Sequence, residues 1–199
     1  MLTFSKGIDV VLKESERLSS LDEELLDFSR MQSGRMIVNN VVATDVSNLL
    51  SAVADMYTEL AVKQGIELTY TPPVQSSIVM CDADRLKQVF INVIDNALKY
   101  TPAGGSVYIN VRGDGDRVLI NVTDTGMGIS SDDLTHIFQK FYRADNSDTR
   151  TIGGTGLGLY LVKQRAEAMG GRVWAESAFG EGSTFYVSLP RLTQDEYEK

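Results

Sequence analysis

The sequence predicts an α+β fold: a two-layer domain with helices on one face of a mixed, mostly antiparallel sheet, preceded by a long N-terminal helix. Three observations carry this expectation. Residues 84–101, DRLKQVFINVIDNALKYT, are amphipathic at helical spacing, whereas 107–111, 118–122, 172–177 and 184–189 read as strands. The strands come in pairs joined by short glycine-bearing links, GDGD and GEG, as antiparallel hairpins do. Of the 17 glycines, 14 lie between Gly104 and Gly182, at junctions where close approach or positive φ is useful. Helices and hairpins in this order favour α+β over a strictly alternating, parallel arrangement.

With 199 residues the chain is long enough for a sizeable core, and 43% hydrophobic with 23% charged content is ordinary for a globular protein. The net charge of −8 argues against binding to nucleic acid or an anionic membrane surface, which needs basic patches. It does not exclude an anionic small ligand held by local amides and a few cations. Cys81 is the only cysteine, so no internal disulfide forms, and it reads as a small buried hydrophobe. No apolar run reaches membrane-spanning length and the N-terminus lacks a signal pattern, so a soluble chain is expected.

Residues 4–33 contain no proline, and Phe4, Val11, Leu18 and Leu25 recur every seven residues, with Leu21 and Phe28 at the alternate spacing. This is a heptad-like seam on a long helix, which needs partner helices to cover it. Ser33–Gly34 ends it. Val41–Thr44 reads as a short strand. Asp45 is placed to cap a helix whose core face is Val46, Leu49, Leu50, Val53, Tyr57 and Leu60, up to Gly65. Ile66–Thr71 alternates as a strand until Pro72–Pro73 breaks it, and Ile78–Cys81 is another. Asp82 caps the amphipathic helix at 84–101, which stops before Pro102. After the first hairpin come DTGMGI, a short helix around 131–136 and the segment IFQKFYRAD. Asp145–Thr155 is polar without periodicity and reads as a mobile loop. GTGLGL then leads into a helix, Leu159–Met169, before the second hairpin.

Candidate chemistry begins on the helix at 84–101. Opposite its apolar stripe lie Asn92 and Asn96, one turn apart, with Lys99 a turn further on. Asparagine is a poor helix former, so two in mid-helix cost stability unless they serve another purpose. A carboxamide oxygen suits Mg²⁺, and a lysine beside it can neutralise phosphate oxygens; taken alone, the stripe is equally a solvated face. Asp124 ends a strand, where a carboxylate can accept from an exocyclic amine while Gly126 and Gly128 let a flat ring approach. By itself D-x-G-x-G also fits a strand-ending turn. GGTGLGL exposes amides before a helix N-terminus, where partial positive charge favours phosphate. It lacks the Lys-Ser/Thr of a P-loop and does not follow a strand as a dinucleotide-binding turn would.

In this order the motifs resemble the ATP-binding catalytic domain of sensor histidine kinases of two-component systems. INVIDNALKYT looks like their N box, DTGMGI their first glycine box, IFQKFYRAD their F box and GGTGLGL their second glycine box. GEGSTFYVSLP is similar to their closing strand, and ESERLSSLDEELLDFSRMQSG to the second helix of their dimerisation and phosphotransfer hairpin. The resemblance spans nearly the whole chain. It implies the Bergerat ATP-binding fold of the GHKL superfamily, a two-layer α/β sandwich, over residues 36–199, with 1–35 as the hairpin helix. Asn92 would ligate a Mg²⁺ bridging the phosphates, with Asn96 and Lys99 near the same oxygens. Tyr100 would stack on adenine, and Asp124 would bind its N6 amine directly, with Thr184 close by through water. Gly126, Gly128 and Ile129 would line the base pocket. Arg143 and the amides at Gly154, Thr155, Gly156, Leu157, Gly158 and Leu159 would face the phosphates, and residues 144–155 would form a lid. Asn92, Asn96, Lys99 and Arg143 are then the catalytic set, in a reaction where the protein mainly positions groups and neutralises charge.

One departure stands out. Such kinases need an acceptor imidazole on the first helix of the hairpin, and the only histidine here is His136, inside the F-box region and followed by Ile137. It reads as structural. The resemblance therefore implies a fragment that binds ATP without phosphorylating itself, from the cytoplasmic part of a membrane-anchored sensor. That sensor would be a homodimer through the hairpin helix and would pass the phosphoryl group to a response regulator. The alternatives are a GHKL-type ATPase of the chaperone, topoisomerase or mismatch-repair kind, or an anti-sigma-like serine kinase. The F box and the leading helix argue against the first, the leading helix against the second.

Overall fold

The computed structural model describes residues 40–192 apart from 74–76 and 145–153, together with Ser15, Asp22, Leu25, Leu26, Phe28 and Ser29. The chain divides into two compact units, Met1–Ile37 and Val38–Lys199. In the first, those described positions are all helical. The rest of the expected helix over 4–33, and its seam, fall outside the described residues.

The second unit starts with strand β1 (Val41–Asp45), which runs directly into helix α1 (Val46–Gln64). Asp45 caps that helix as expected, its Oδ1 accepting from the Ser47 amide at 2.8 Å. Gly65 ends it in the left-handed conformation at φ +69°. Asp45→Ala should cost about 1 kcal/mol of stability, read as a lower urea midpoint at unchanged slope. Strand β2 (Glu67–Thr71) follows, then β3 (Ile78–Asp82), then helix α2 (Ala83–Tyr100). Asp82 caps α2 through the Arg85 amide at 3.2 Å.

Strands β4 (Ser106–Asp114) and β5 (Arg117–Asp124) are longer than the apolar alternation alone suggested. Their turn is Gly115–Asp116, with Gly115 at φ +62°. Positive φ at the first central residue alone is the type II′ pattern, which matches strand twist. The short helix expected around 131–136 is a single turn, α3 (Ser131–Leu134). Helix α4 (Gly158–Ala168) and the hairpin of β6 (Arg172–Ala178) and β7 (Gly182–Pro190) complete the chain.

Five strands form one sheet in the order β2-β4-β5-β7-β6. Only β2–β4 is parallel; the other pairs are antiparallel. Strands β1 and β3 pair with each other in a separate two-stranded sheet, which the sequence reading did not distinguish from the main one. One layer of the core comes from α1 (Val46, Leu50, Val53) and α2 (Leu86, Val89, Phe90, Val93, Ile94, Ala97). The sheet supplies the other, with Val107 and Ile109 of β4, Val118, Ile120 and Val122 of β5, and Phe185, Val187 and Leu189 of β7. Each such side chain contributes about 1.5–3 kcal/mol by leaving water. The alternate positions face the other way, where Trp174 stacks on Tyr186 with ring centroids 4.9 Å apart. Cys81 is buried, as expected of a small hydrophobe.

Candidate nucleotide-binding site

Burying the apolar stripe of α2 leaves its polar stripe facing out of the core. Asn92, Asn96 and Lys99 are all partly exposed, while Val93, Ile94 and Ala97 are buried. Asn96 and Tyr100 form one wall of a cavity of about 120 Å³. Facing them are Asp124 from the end of β5, Gly128 and Ile129 from the loop after it, and Ser183 and Phe185 from β7.

Asp124 is 4% exposed. Its Oδ1 accepts from the Gly126 amide at 2.9 Å. Burial pushes its carboxyl above the usual carboxylate range, and backbone hydrogen bonds from Gly126 and Ser183 act in the opposite direction. The glycines after it are sterically required. A Cβ on Gly126 would collide with the Tyr100 carbonyl, and one on Gly128, at φ +67°, with the Ala178 carbonyl. The loop is pinned on two sides: Met127 donates to the Tyr100 carbonyl at 3.2 Å, and the Gly180 amide to the Met127 carbonyl at 2.7 Å. The Ile129 amide donates to Ser177 Oγ at 2.8 Å.

The second glycine motif is brought to the polar stripe of α2. Asn92 Nδ2 donates to the Gly158 carbonyl at 3.4 Å. A Cβ on Gly154 would lie 3.0 Å from Lys99 Nζ. Gly156 sits at φ +74° and accepts from the Phe141 amide at 3.0 Å. Leu157 is fully buried and anchors the start of α4, whose N-terminus has no side-chain cap. Thr155 Oγ1 accepts from the Leu157 amide at 3.1 Å, and Leu159 lines the cavity. An uncapped first turn beside a lysine and two amides is suited to an anion.

Arg143 lines the same cavity. Its guanidinium is near enough to Tyr100 to counter part of the rise that burial imposes on that phenol. Thr184 is placed differently from expectation. Its hydroxyl meets Thr123 Oγ1 at 3.1 Å, and it alternates along β7 with Ser183 and Phe185, which line the cavity. Ser183, one residue earlier, holds the position beside Asp124. The sequence reading also missed Ser130, Asp133 and Tyr142, all at the cavity wall. The S-x-x-D spacing at Ser130–Asp133 was a legible capping signal. His136 is exposed, its Nδ1 2.8 Å from Gln139 Nε2 and its ring tilted against Tyr142.

A buried carboxylate, a glycine-lined pocket and an anion-suited helix start, arranged along one face of an α+β sandwich, define a nucleotide-binding domain. Residues 81–193 match the family of histidine kinase-, DNA gyrase B-, and HSP90-like ATPases, and the chain belongs to it. Its second unit carries that family's ATP-binding domain. Among similar proteins, the sensor histidine kinase WalK of Bacillus subtilis is 36% identical over 94% of this chain and 31% of its own length. The sensor protein SrrB of Staphylococcus aureus is 35% identical over 94% of this chain and 32% of its own. Full-length ShkA, solved in complex with AMPPNP, superposes with a TM-score of 0.79 at 31% identity, covering 91% of this chain and 37% of that one. The chain thus spans about a third of the length of these relatives. Among the described residues, no helix is long and apolar enough to cross a membrane.

Proposed function

We propose that this chain is the ATP-binding catalytic part of a sensor histidine kinase, transferring the γ-phosphoryl group of ATP to a histidine supplied from outside these residues, for onward transfer to a response regulator aspartate. The reading rests above all on Asp124, a nearly buried carboxylate at a pocket whose glycines leave room for a flat base. Around it, Tyr100, Gly126, Gly128 and Ile129 enclose adenine, while Asn96, one turn from Asn92 on α2, reaches toward the phosphates. Asn92, Lys99, Arg143 and the amides from Gly154 to Leu159 take the phosphates. His136, hydrogen-bonded to Gln139 and packed on Tyr142 in the F-box region, is read as a structural residue and not as the acceptor. Residues 1–35 would be the second helix of a hairpin through which the whole sensor forms a homodimer, and this part would lie on the cytoplasmic side of an anchored protein.

A Mg²⁺ ion bound with ATP would neutralise phosphate charge during transfer. Asn92 fits it: Nδ2 is engaged with the Gly158 carbonyl, leaving Oδ1, a hard neutral oxygen, to meet a cation. Asn92→Ala should weaken Mg²⁺–ATP binding about tenfold, a step of about 1.4 kcal/mol, and change metal-free ADP binding by less than about twofold. Equal losses in calorimetry would remove Asn92 as the metal ligand. For the activity itself, the chain is mixed with radiolabelled ATP and a histidine-bearing hairpin from the same system. Acid-labile label on that partner is the expected result. Acid-stable label would mean a hydroxyl acceptor and overturn the kinase assignment.

A further inference from the structure

The residue before Tyr142 is in an unusual state. Phe141 has φ +63°, the one non-glycine residue with positive φ among the described residues, and it is 56% exposed. A side chain with a Cβ pays for that conformation, and its own burial does not compensate. The neighbours must impose it. On one side the Phe141 amide donates to the Gly156 carbonyl at 3.0 Å, and a Cβ on Gly156 would sit 2.8 Å from the Phe141 carbonyl carbon. On the other, Tyr142 Oη donates to Asp133 Oδ1 at 2.6 Å, within the range of a charge-assisted bond. Asp133 is itself held: its Oδ2 accepts from Ser130 Oγ at 2.7 Å, and its amide donates to the same hydroxyl at 3.1 Å.

The electrostatics agree with a carboxylate–phenol bond. The hydrogen bonds from Tyr142 and Ser130 hold the Asp133 carboxyl below the usual carboxylate range. The same bond pushes the Tyr142 phenol up to about 12. Donor and acceptor therefore keep their roles across the neutral pH range. Directly after this clamp comes Arg143, which lines the cavity and influences Tyr100 across it.

We infer that Asp133 is a positioning residue for nucleotide binding: by gripping Tyr142 from the start of α3, it fixes the strained turn at Phe141 and so holds Arg143 at the cavity wall, from which the function proposed above has it meet the phosphates. The inference rests on the nucleotide reading above and adds to it a pair of residues outside the four motifs' expected contacts. The base end of the cavity, built on Asp124 and Gly128, is held by a different set of bonds. The clamp thus reaches the phosphates through Arg143, and adenosine reports any effect that its own side chains have on the cavity wall.

The test is a double-mutant cycle on the whole chain, with Tyr142→Phe, Asp133→Ala and both together, titrated calorimetrically with ATP and with adenosine. Each single variant should weaken ATP binding about tenfold, the double no further, and adenosine affinity should change by less than about twofold. Tyr142→Phe keeps the ring, so a fold defect would show as an equal loss for both ligands, and that outcome overturns the inference. Additive losses in the double variant also overturn it, as does wild-type ATP affinity in the variants. If the wild-type chain binds no ATP at millimolar concentration, the nucleotide reading itself fails and this inference with it.

Discussion

Asp124→Asn should weaken ATP binding by about ten- to a hundredfold while leaving the chain folded. A hydrogen bond to a charged group is worth about 1.5–3 kcal/mol, and in the variant an amide N–H₂ can turn toward the donor amine it should accept from. The side chain keeps its size, and its oxygen can still accept from the Gly126 amide. Calorimetry with ATP and GTP reads the result: ATP affinity falls and the preference for adenine narrows. Unchanged ATP affinity would remove Asp124 from base recognition. A pH dependence follows from the same group. Nucleotide binding favours the ionised carboxyl, and burial has raised its pKa in the free protein. Affinity is therefore full above that raised pKa and lost as pH falls through it. The loss begins at higher pH than for an ordinary aspartate, near 4. The Asn variant should lack that part of the pH profile.

Gly128→Ala should be among the most damaging single methyls in the domain, beside Gly182, at about 2–5 kcal/mol of stability. Two costs combine there: a φ of +67° and a Cβ position that collides with the carbonyl of Ala178. To relieve the clash the loop must leave the β6–β7 turn, breaking the Gly180–Met127 and Ile129–Ser177 bonds, and Ile129 withdraws from the cavity wall. Gly104→Ala is the control, because Gly104 has φ +86° but no neighbour within 4 Å of its Cβ position. It bears the conformational cost alone, about 1–2 kcal/mol. If thermal melts place the two variants together, the steric account of Gly128 is wrong.

Much of this was legible in the sequence, because the signals are local. Asp45 and Asp82 stand in the cap position before apolar-periodic runs, and both caps form. The amide stripe of α2 follows from helical periodicity alone, and its meeting with the second glycine motif followed from family resemblance. What did not show was set by distant partners. Nothing in Glu67–Thr71 says that it will pair in parallel with β4, or that β1 will take β3 as its sole neighbour in the small sheet. Thr184 lies one residue from the cavity-lining Ser183, which in a strand means the opposite face. The signal was present: Phe185, Val187 and Leu189 are buried, so their parity partner Ser183 faces inward too. The bond between Asp133 and Tyr142 was invisible for another reason. It joins a helix start to an irregular segment through the turn at Phe141, and no periodicity describes such a turn.

Strand β5 lies at the centre of the five-stranded sheet, bonded along its whole length to β4 on one side and β7 on the other. Asp124 is its last residue. If Asp124 selects the base as proposed, purine choice is built into the centre of the sheet, and changing it would mean rebuilding that centre. The proposed phosphate contacts instead draw on α2, on the amides before α4 and on the strained turn at Phe141. On the proposed reading, such a domain would vary at its turns over evolutionary time while its base preference is held by the sheet.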